Sequence, residues 1–158
     1  NAISLQLLFI LFGLILFFKY VSGLKKVKYY FNRALLNLPV IGQANRDIIT
    51  ARFTRSMALF LKSAVPILEI LDNIELIVGN EFISRKIGLV KKEMINGSRI
   101  SDAFESNDVF EPLVIQMIRV GEESGKLEET LDKLSNVYDK RVETNISRLT
   151  AMIEPAFT

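Results

Sequence analysis

The sequence predicts an all-α protein, a compact bundle of about six helices following one transmembrane helix. Three features point there. An uncharged run, Ala2–Phe18, stands near the start of the chain. Beyond it, apolar residues recur at three- and four-residue spacing, and no segment keeps the two-residue alternation of a half-buried strand. A hydrophobic content of 49% suits a packed core rather than a disordered chain.

The apolar run reads AISLQLLFILFGLILFF, broken only by Ser4 and Gln6. At 1.5 Å per residue this is the short end of what crosses roughly 30 Å of hydrocarbon; extension past a snorkelling Lys19 to Leu24 gives a comfortable span. Its positive charges follow the run instead of preceding it, which is the wrong order for a cleaved secretory signal. Phe9, Phe12, Phe17 and Phe18 leave no polar face for a water-soluble helix. The chain starts inside the run, so the natural protein is expected to continue upstream. Residues 1–24 are therefore read as a transmembrane helix, truncated at its start.

A basic juxtamembrane helix and linker, residues 25–46, come next. Val27, Tyr30, Phe31, Ala34, Leu35 and Leu38 make an amphipathic stripe, and Pro39 ends it. Pro39-Val40-Ile41-Gly42 reads as a short linker. Residues 47–153 are read as the cytoplasmic domain. Its first helix, from Asp47 to about Ser63, places Phe53, Met57, Phe60, Leu61 and Ala64 on one face. Pro66 suits the first turn of the next, which carries Leu68, Leu71, Ile74 and Val78 and ends at Gly79. Asn80 caps a helix bearing Phe82, Ile83, Ile87, Val90 and Met94, which stops at Asn96-Gly97.

Ser101 caps a short helix, and Pro112 opens another running to Val120 with Leu113, Met117 and Val120 inward. A loop, Gly121-Glu122-Glu123-Ser124-Gly125, leads into the last helix. There Leu127, Leu131, Leu134, Tyr138, Val142, Ile146, Leu149 and Ile153 hold the helical period over a rod of roughly 40 Å. Residues 154–158 are read as the start of a further transmembrane helix.

Composition narrows the chemistry. With no Cys and no His, the chain has no disulfide scaffold, thiolate nucleophile, imidazole base or zinc-finger ligand set. No cofactor site is expected. The charge is divided unevenly: residues 1–46 hold six bases and no acid, whereas residues 47–158 carry a net −4. A basic neck on an acidic body suits a membrane-proximal segment and argues against nucleic acid as partner. Five bases between Lys19 and Arg33 put the body in the cytoplasm by the positive-inside rule.

Acids are the remaining candidates for a site. Asp102, Glu105, Asp108 and Glu111 recur every third residue, without the mid-loop glycine and spacing of a calcium loop. They read as a solvated acidic face, and no pair of carboxylates suggests general acid–base work. Gly121 and Gly125 lack the Gly-Lys-Ser/Thr of a phosphate loop. Two readings of that segment stay open. One is structural, with Gly121 ending a helix, Gly125 turning into the next, and Glu122 and Glu123 near the positive end of the long helix. In the other, Arg119, Glu122, Glu123 and Ser124 form a docking surface for a partner.

Several ordered motifs resemble one family. FEPLVIQMIRVGEESGKL, Phe110–Leu127, is similar to the signature of the inner-membrane platform proteins of type II secretion and type IV pilus machines, the GspF/PilC family. Tyr138 and Leu149-Thr150-Ala151-Met152-Ile153-Glu154-Pro155 continue it, Glu154-Pro155 standing where that family enters its final membrane helix. Upstream, ARFTRSMALFLKSAVPILEIL resembles the family's opening helix and the turn around Pro66. Gly97-Ser98-Arg99-Ile100-Ser101 resembles a Gly-x-Ser-Leu-Ser cap, and Leu38-Pro39-Val40-Ile41-Gly42 a short lead-in motif. Pro66, Gly97, Ser101, Pro112, Gly121, Gly125, Tyr138, Glu154 and Pro155 are thus the structural motif residues. Departures are few: Ala64, Arg99, Ile100 and Glu111 stand where the family usually has Gly, Ser, Leu and Pro.

The resemblance implies a second membrane helix followed by the second of two helical domains, in a protein with three membrane helices. It also implies a non-enzymatic member of the bacterial inner membrane. Its partners would be a cytoplasmic assembly ATPase, pilin or pseudopilin subunits, other inner-membrane assembly components and further copies of itself. The competing expectation is a membrane-tethered helical adaptor unrelated to secretion.

Overall fold

The computed structural model describes residues 25–153 continuously, and residues 10, 12–16, 19, 20 and 23 before them. Among the described residues none forms a strand, so the all-α expectation holds, and no helix is long and apolar enough to cross a membrane. Most of the expected 1–24 membrane segment, and Glu154, Pro155 and the rest of 154–158, lie outside the described residues. Residue 10 and residues 12–16 are helical, with Phe12, Leu14 and Ile15 exposed.

Seven helices follow residue 24: α1 (Lys25–Leu36), α2 (Ile41–Lys62), α3 (Ile67–Ile77), α4 (Glu81–Ile95), α5 (Ile100–Ser106), α6 (Pro112–Ser124) and α7 (Leu127–Ile153). The 22-residue α2 lies along the 27-residue α7. Helix α6 packs on α7, α5 bridges α6 and α4, and α3 pairs with α4 and α2. Helix α1 rests across α2 and α4.

The core gathers where α2, α5, α6 and α7 meet. Phe53 packs against Phe110 at 4.4 Å and Phe104 at 5.2 Å between ring centroids, and Met57, Ile118 and Leu131 are fully buried. A second apolar layer, Ile70, Leu71, Ile74, Ile87 and Val90, joins α3 to α4. Each such side chain contributes about 1.5–3 kcal/mol on leaving water.

Helix ends explain most differences from the sequence reading. The expected linker at 39–42 is only a sharp turn, with Val40 at φ 66°, and α2 begins at Ile41, six residues ahead of Asp47. It restarts there because Gly42 lets the two helices touch: a Cβ at that position would lie 2.4 Å from the Leu36 carbonyl oxygen. The side chain of Asn80 caps α4 as expected, accepting from the amides of Phe82 and Ile83. Gly97 and Gly125, both with positive φ, close α4 and α6.

Ala64 takes the same left-handed role at the end of α2 with φ 56°. Its amide donates to the Leu61 carbonyl and that of Val65 to the Phe60 carbonyl, a full Schellman closure built on a residue with a Cβ. Ala64 is exposed, not on the buried face of α2. Two further expectations on facing are corrected. In α6, Leu113 and Val120 point outward, and Val114, Ile115, Ile118 and Gly121 are buried instead. Along α7, Leu131, Leu134 and Tyr138 of the expected apolar stripe are buried, as is Ser135 beside them; by Ile146, 55% exposed, the rod has left the core.

Candidate functional site

The segment read as a loop, Gly121 to Ser124, is the last turn of α6, and only Gly125 and Lys126 separate it from α7. That tightness has a steric cause. Gly121 does not end a helix; it sits inside one, where a Cβ would lie 2.9 Å from the Leu127 Cα and 3.2 Å from the Thr130 Cβ. Only glycine lets α7 start so close against α6. Gly125, left-handed at φ 67°, then turns the chain, with the Lys126 amide donating back to the Gly121 carbonyl at 2.9 Å.

Glu122 faces inward from this corner. Its carboxylate accepts from the Ile100 amide at 2.9 Å, the Ser101 amide at 3.2 Å and the Ser101 hydroxyl at 2.6 Å. These are the free amides at the start of α5, so a side chain 21 residues away does the capping expected of Ser101. Ser101 is itself fully buried, one residue inside the helix; the cap position belongs to Arg99, whose side chain makes no capping bond. A carboxylate on three donors at a helix start is favoured by both the hydrogen bonds and the helix dipole.

Glu123, one residue on, points outward and is paired with the half-exposed Arg99 at 3.5 Å. Arg119 spans from α6 to α5, donating to Glu105 at 2.6 Å and Asp102 at 3.3 Å. The Glu105 carboxylate, with Asp102 behind it, pushes that guanidinium above its ordinary pKa. The Ser124 hydroxyl donates to the Val120 carbonyl at 2.7 Å. Of the four expected docking residues, Arg119, Glu123 and Ser124 are on or near the outer surface of one corner, and Glu122 is held within it.

The four acids spaced by three do not converge. Asp102 and Glu105 share Arg119, Asp108 pairs with Lys86, and Glu111 receives the Tyr138 hydroxyl and the Arg141 guanidinium at 2.7 Å. Among the described residues no group of three acids is placed to hold a metal ion. Burial and the Glu111 carboxylate together hold the Tyr138 hydroxyl well above its usual pKa. Glu111 thus ties the start of α6 to the middle of α7.

No local pattern in the chain marks a cleft of about 420 Å³ between α1, α2, α4 and the α5–α6 connection. It is lined by three bases, Arg33, Arg46 and Lys86, and three acids, Asp47, Asp108 and Glu111. The bases and acids balance in number, and Lys86 pairs with Asp108 at 3.9 Å. Asp47 is buried and accepts from Gln43 at 3.1 Å and Asn145 at 2.6 Å, while Arg46 donates to the Leu36 carbonyl. Burial lowers the pKa of Lys86, Asp108 opposing it, with Arg33 and Arg46 adding to the lowering. These residues come from stretches far apart in the chain, which no local motif brings together.

Comparison with known proteins places this corner in a wider setting. The family described as type II secretion system (T2SS), protein F, matches residues 53–158. The type IV pilus assembly protein PilC of Myxococcus xanthus is 36% identical over 126 residues, 80% of this chain and 30% of that protein. PilC of Thermus thermophilus is 33% identical over 156 residues, 98% of this chain and 38% of its own length. The type II secretion system protein F of Aeromonas hydrophila is 30% identical over 131 residues, 83% of this chain and 34% of its own. The chain thus spans about a third of the length of these relatives. With the match running from Phe53 through the Glu122 corner and along α7, the chain belongs to the GspF/PilC family of type II secretion and type IV pilus assembly proteins.

Proposed function

We propose that this chain is a non-catalytic platform module that couples a cytoplasmic assembly ATPase to the extrusion of pilin or pseudopilin subunits. The observation that carries the reading is the family match across the α5–α6–α7 corner. The body lies on the cytoplasmic face of the inner membrane, and the outer surface of the corner, with Arg99, Arg119 and Glu123, is where the motor docks. Ser124 completes that surface, and Glu122 braces it from behind.

The geometry supports a mechanical role. Gly121 seats the start of α7 directly against α6, so a displacement of the corner is delivered to one end of a rod about 40 Å long. The other end of α7 leads to residues 154–158, expected to open the next membrane segment. A close-packed interior passes displacement on with little deformation. Other copies of the chain and the remaining inner-membrane components would share the load.

Co-purification of the detergent-solubilised full-length protein with its assembly ATPase tests the reading. Retention of the ATPase is the expected result, and its absence under cross-linking conditions overturns the proposed coupling.

A further inference from the structure

We propose that α1 lies flat on the bilayer, its outward face sunk at the headgroup boundary of an anionic membrane. Helix α1 has two opposed faces. At 100° per residue, Asn32 and Leu36 fall on one side and Val27, Tyr30, Phe31 and Ala34 on the other. The first side is buried against the body, where the Tyr29 ring lies 5.4 Å from that of Phe82 and Arg85 stacks 4.6 Å over Tyr29. The second faces away. Tyr30 and Phe31 are 66% and 65% exposed, and the adjoining Leu38, Val40 and Ile41 are exposed too.

A face of this composition is costly to leave in water, and its surroundings name the occupant. Lys26 and Lys28, both exposed, fall on the two shoulders of the apolar sector, and no acid occurs anywhere in residues 1–46. Apolar and aromatic side chains between flanking lysines are what an amphipathic helix presents to anionic lipid, with the ammonium groups at the phosphates and the rings below them. The apolar residues Phe12, Leu14 and Ile15, also exposed, lie just upstream in the chain. Pairing of α1 with α1 of a second copy would set these lysines against one another, since the first 46 residues hold no acid.

This placement has a consequence for the whole body. Because α1 is fixed to α4 through Tyr29 and to α2 through the Arg46 bond to the Leu36 carbonyl, a flat α1 sets the angle at which the bundle meets the membrane. The inference does not depend on which motor or pilin the protein serves.

The chain contains no Trp, so a single introduced indole reports cleanly. Phe31→Trp, Ala34→Trp and, as a solvent control, Leu76→Trp on the far-exposed side of α3 would be reconstituted in phosphatidylethanolamine–phosphatidylglycerol vesicles. Both α1 reporters should be quenched by brominated acyl chains and lose iodide accessibility severalfold relative to Leu76→Trp. Replacing Lys26 and Lys28 by Gln should lower the ratio of shielded to exposed indole by about fivefold per lysine. Shielding of residue 31 but not 34 means an upright helix and overturns the proposal. So does shielding from iodide without quenching by brominated lipid, which means a protein neighbour. Iodide accessibility equal to that of Leu76→Trp overturns it as well. None of these readouts involves the ATPase, so their failure leaves the docking proposal untouched, and the reverse holds.

Discussion

The Ser101 hydroxyl of α5 and the Glu122 carboxylate of α6 meet at 2.6 Å, joining the start of one helix to the last turn of another. The bond is buried on the serine side, and the same carboxylate also takes both leading amides of α5. Glu122→Gln should therefore destabilise the fold by about 1–3 kcal/mol, and Ser101→Ala by about 1 kcal/mol. In a double-mutant cycle by urea unfolding the two losses should overlap rather than add, because both remove the same contact.

Gly121→Ala should cost about 1–3 kcal/mol, since the added methyl meets the Leu127 backbone and overpacking forces α7 off α6. Thermal unfolding measures the loss. Gly121→Ala should also broaden the resonances of Leu127 and Thr130, the two residues the methyl strikes.

Ala64→Gly should do the opposite. Ala64 holds φ 56° to close the end of α2, a conformation that strains a residue with a Cβ. Glycine relieves that strain but loses more chain entropy on folding, leaving a net gain of about 0.5–1 kcal/mol. A rise in the denaturation midpoint is the expected observation.

Tyr138 gives the fold an alkaline limit. Burial, then the Glu111 carboxylate, raise its pKa in the folded state above the ordinary value of about 10. A raised pKa means that the contribution is complete below about pH 10 and is lost as pH climbs toward the folded-state value. Urea midpoints measured between pH 8 and 11 should fall more steeply for the native chain than for Tyr138→Phe. The variant itself should start about 1 kcal/mol lower, having lost the bond to Glu111.

The helices are legible because their apolar periods are strong, and the pattern that opens at Leu127 coincides with the start of α7. Facing is less so. Leu113 and Val120 share a period with the buried Val114, Ile115 and Ile118, and only tertiary packing decides which edge of an apolar helix turns inward. The corner stands out as a motif yet reads as a loop, because a Gly-Glu-Glu-Ser-Gly string carries strong turn signals. What keeps it helical is the close seat of Gly121 on α7 and the grip of Glu122 on α5. Both are contacts with other helices, invisible to local propensity. The cleft beside Lys86 was hidden for the same reason, being assembled from α1, α2, α4 and the turn at Asp108.

Separating the outer surface of the corner from its inner brace gives the most direct test of the docking role. Glu123 is exposed and its pairing with Arg99 is a surface ion pair, whereas Arg99 also lies 3.6 Å from the Glu122 carboxylate, so Glu123→Lys with the uncharged Arg99→Gln should lower the unfolding midpoint only slightly. Binding of the full-length double variant to its assembly ATPase, measured alongside secretion or piliation in cells, is the decisive measurement. The account predicts loss of both in a protein that remains folded; undiminished binding with normal assembly contradicts it.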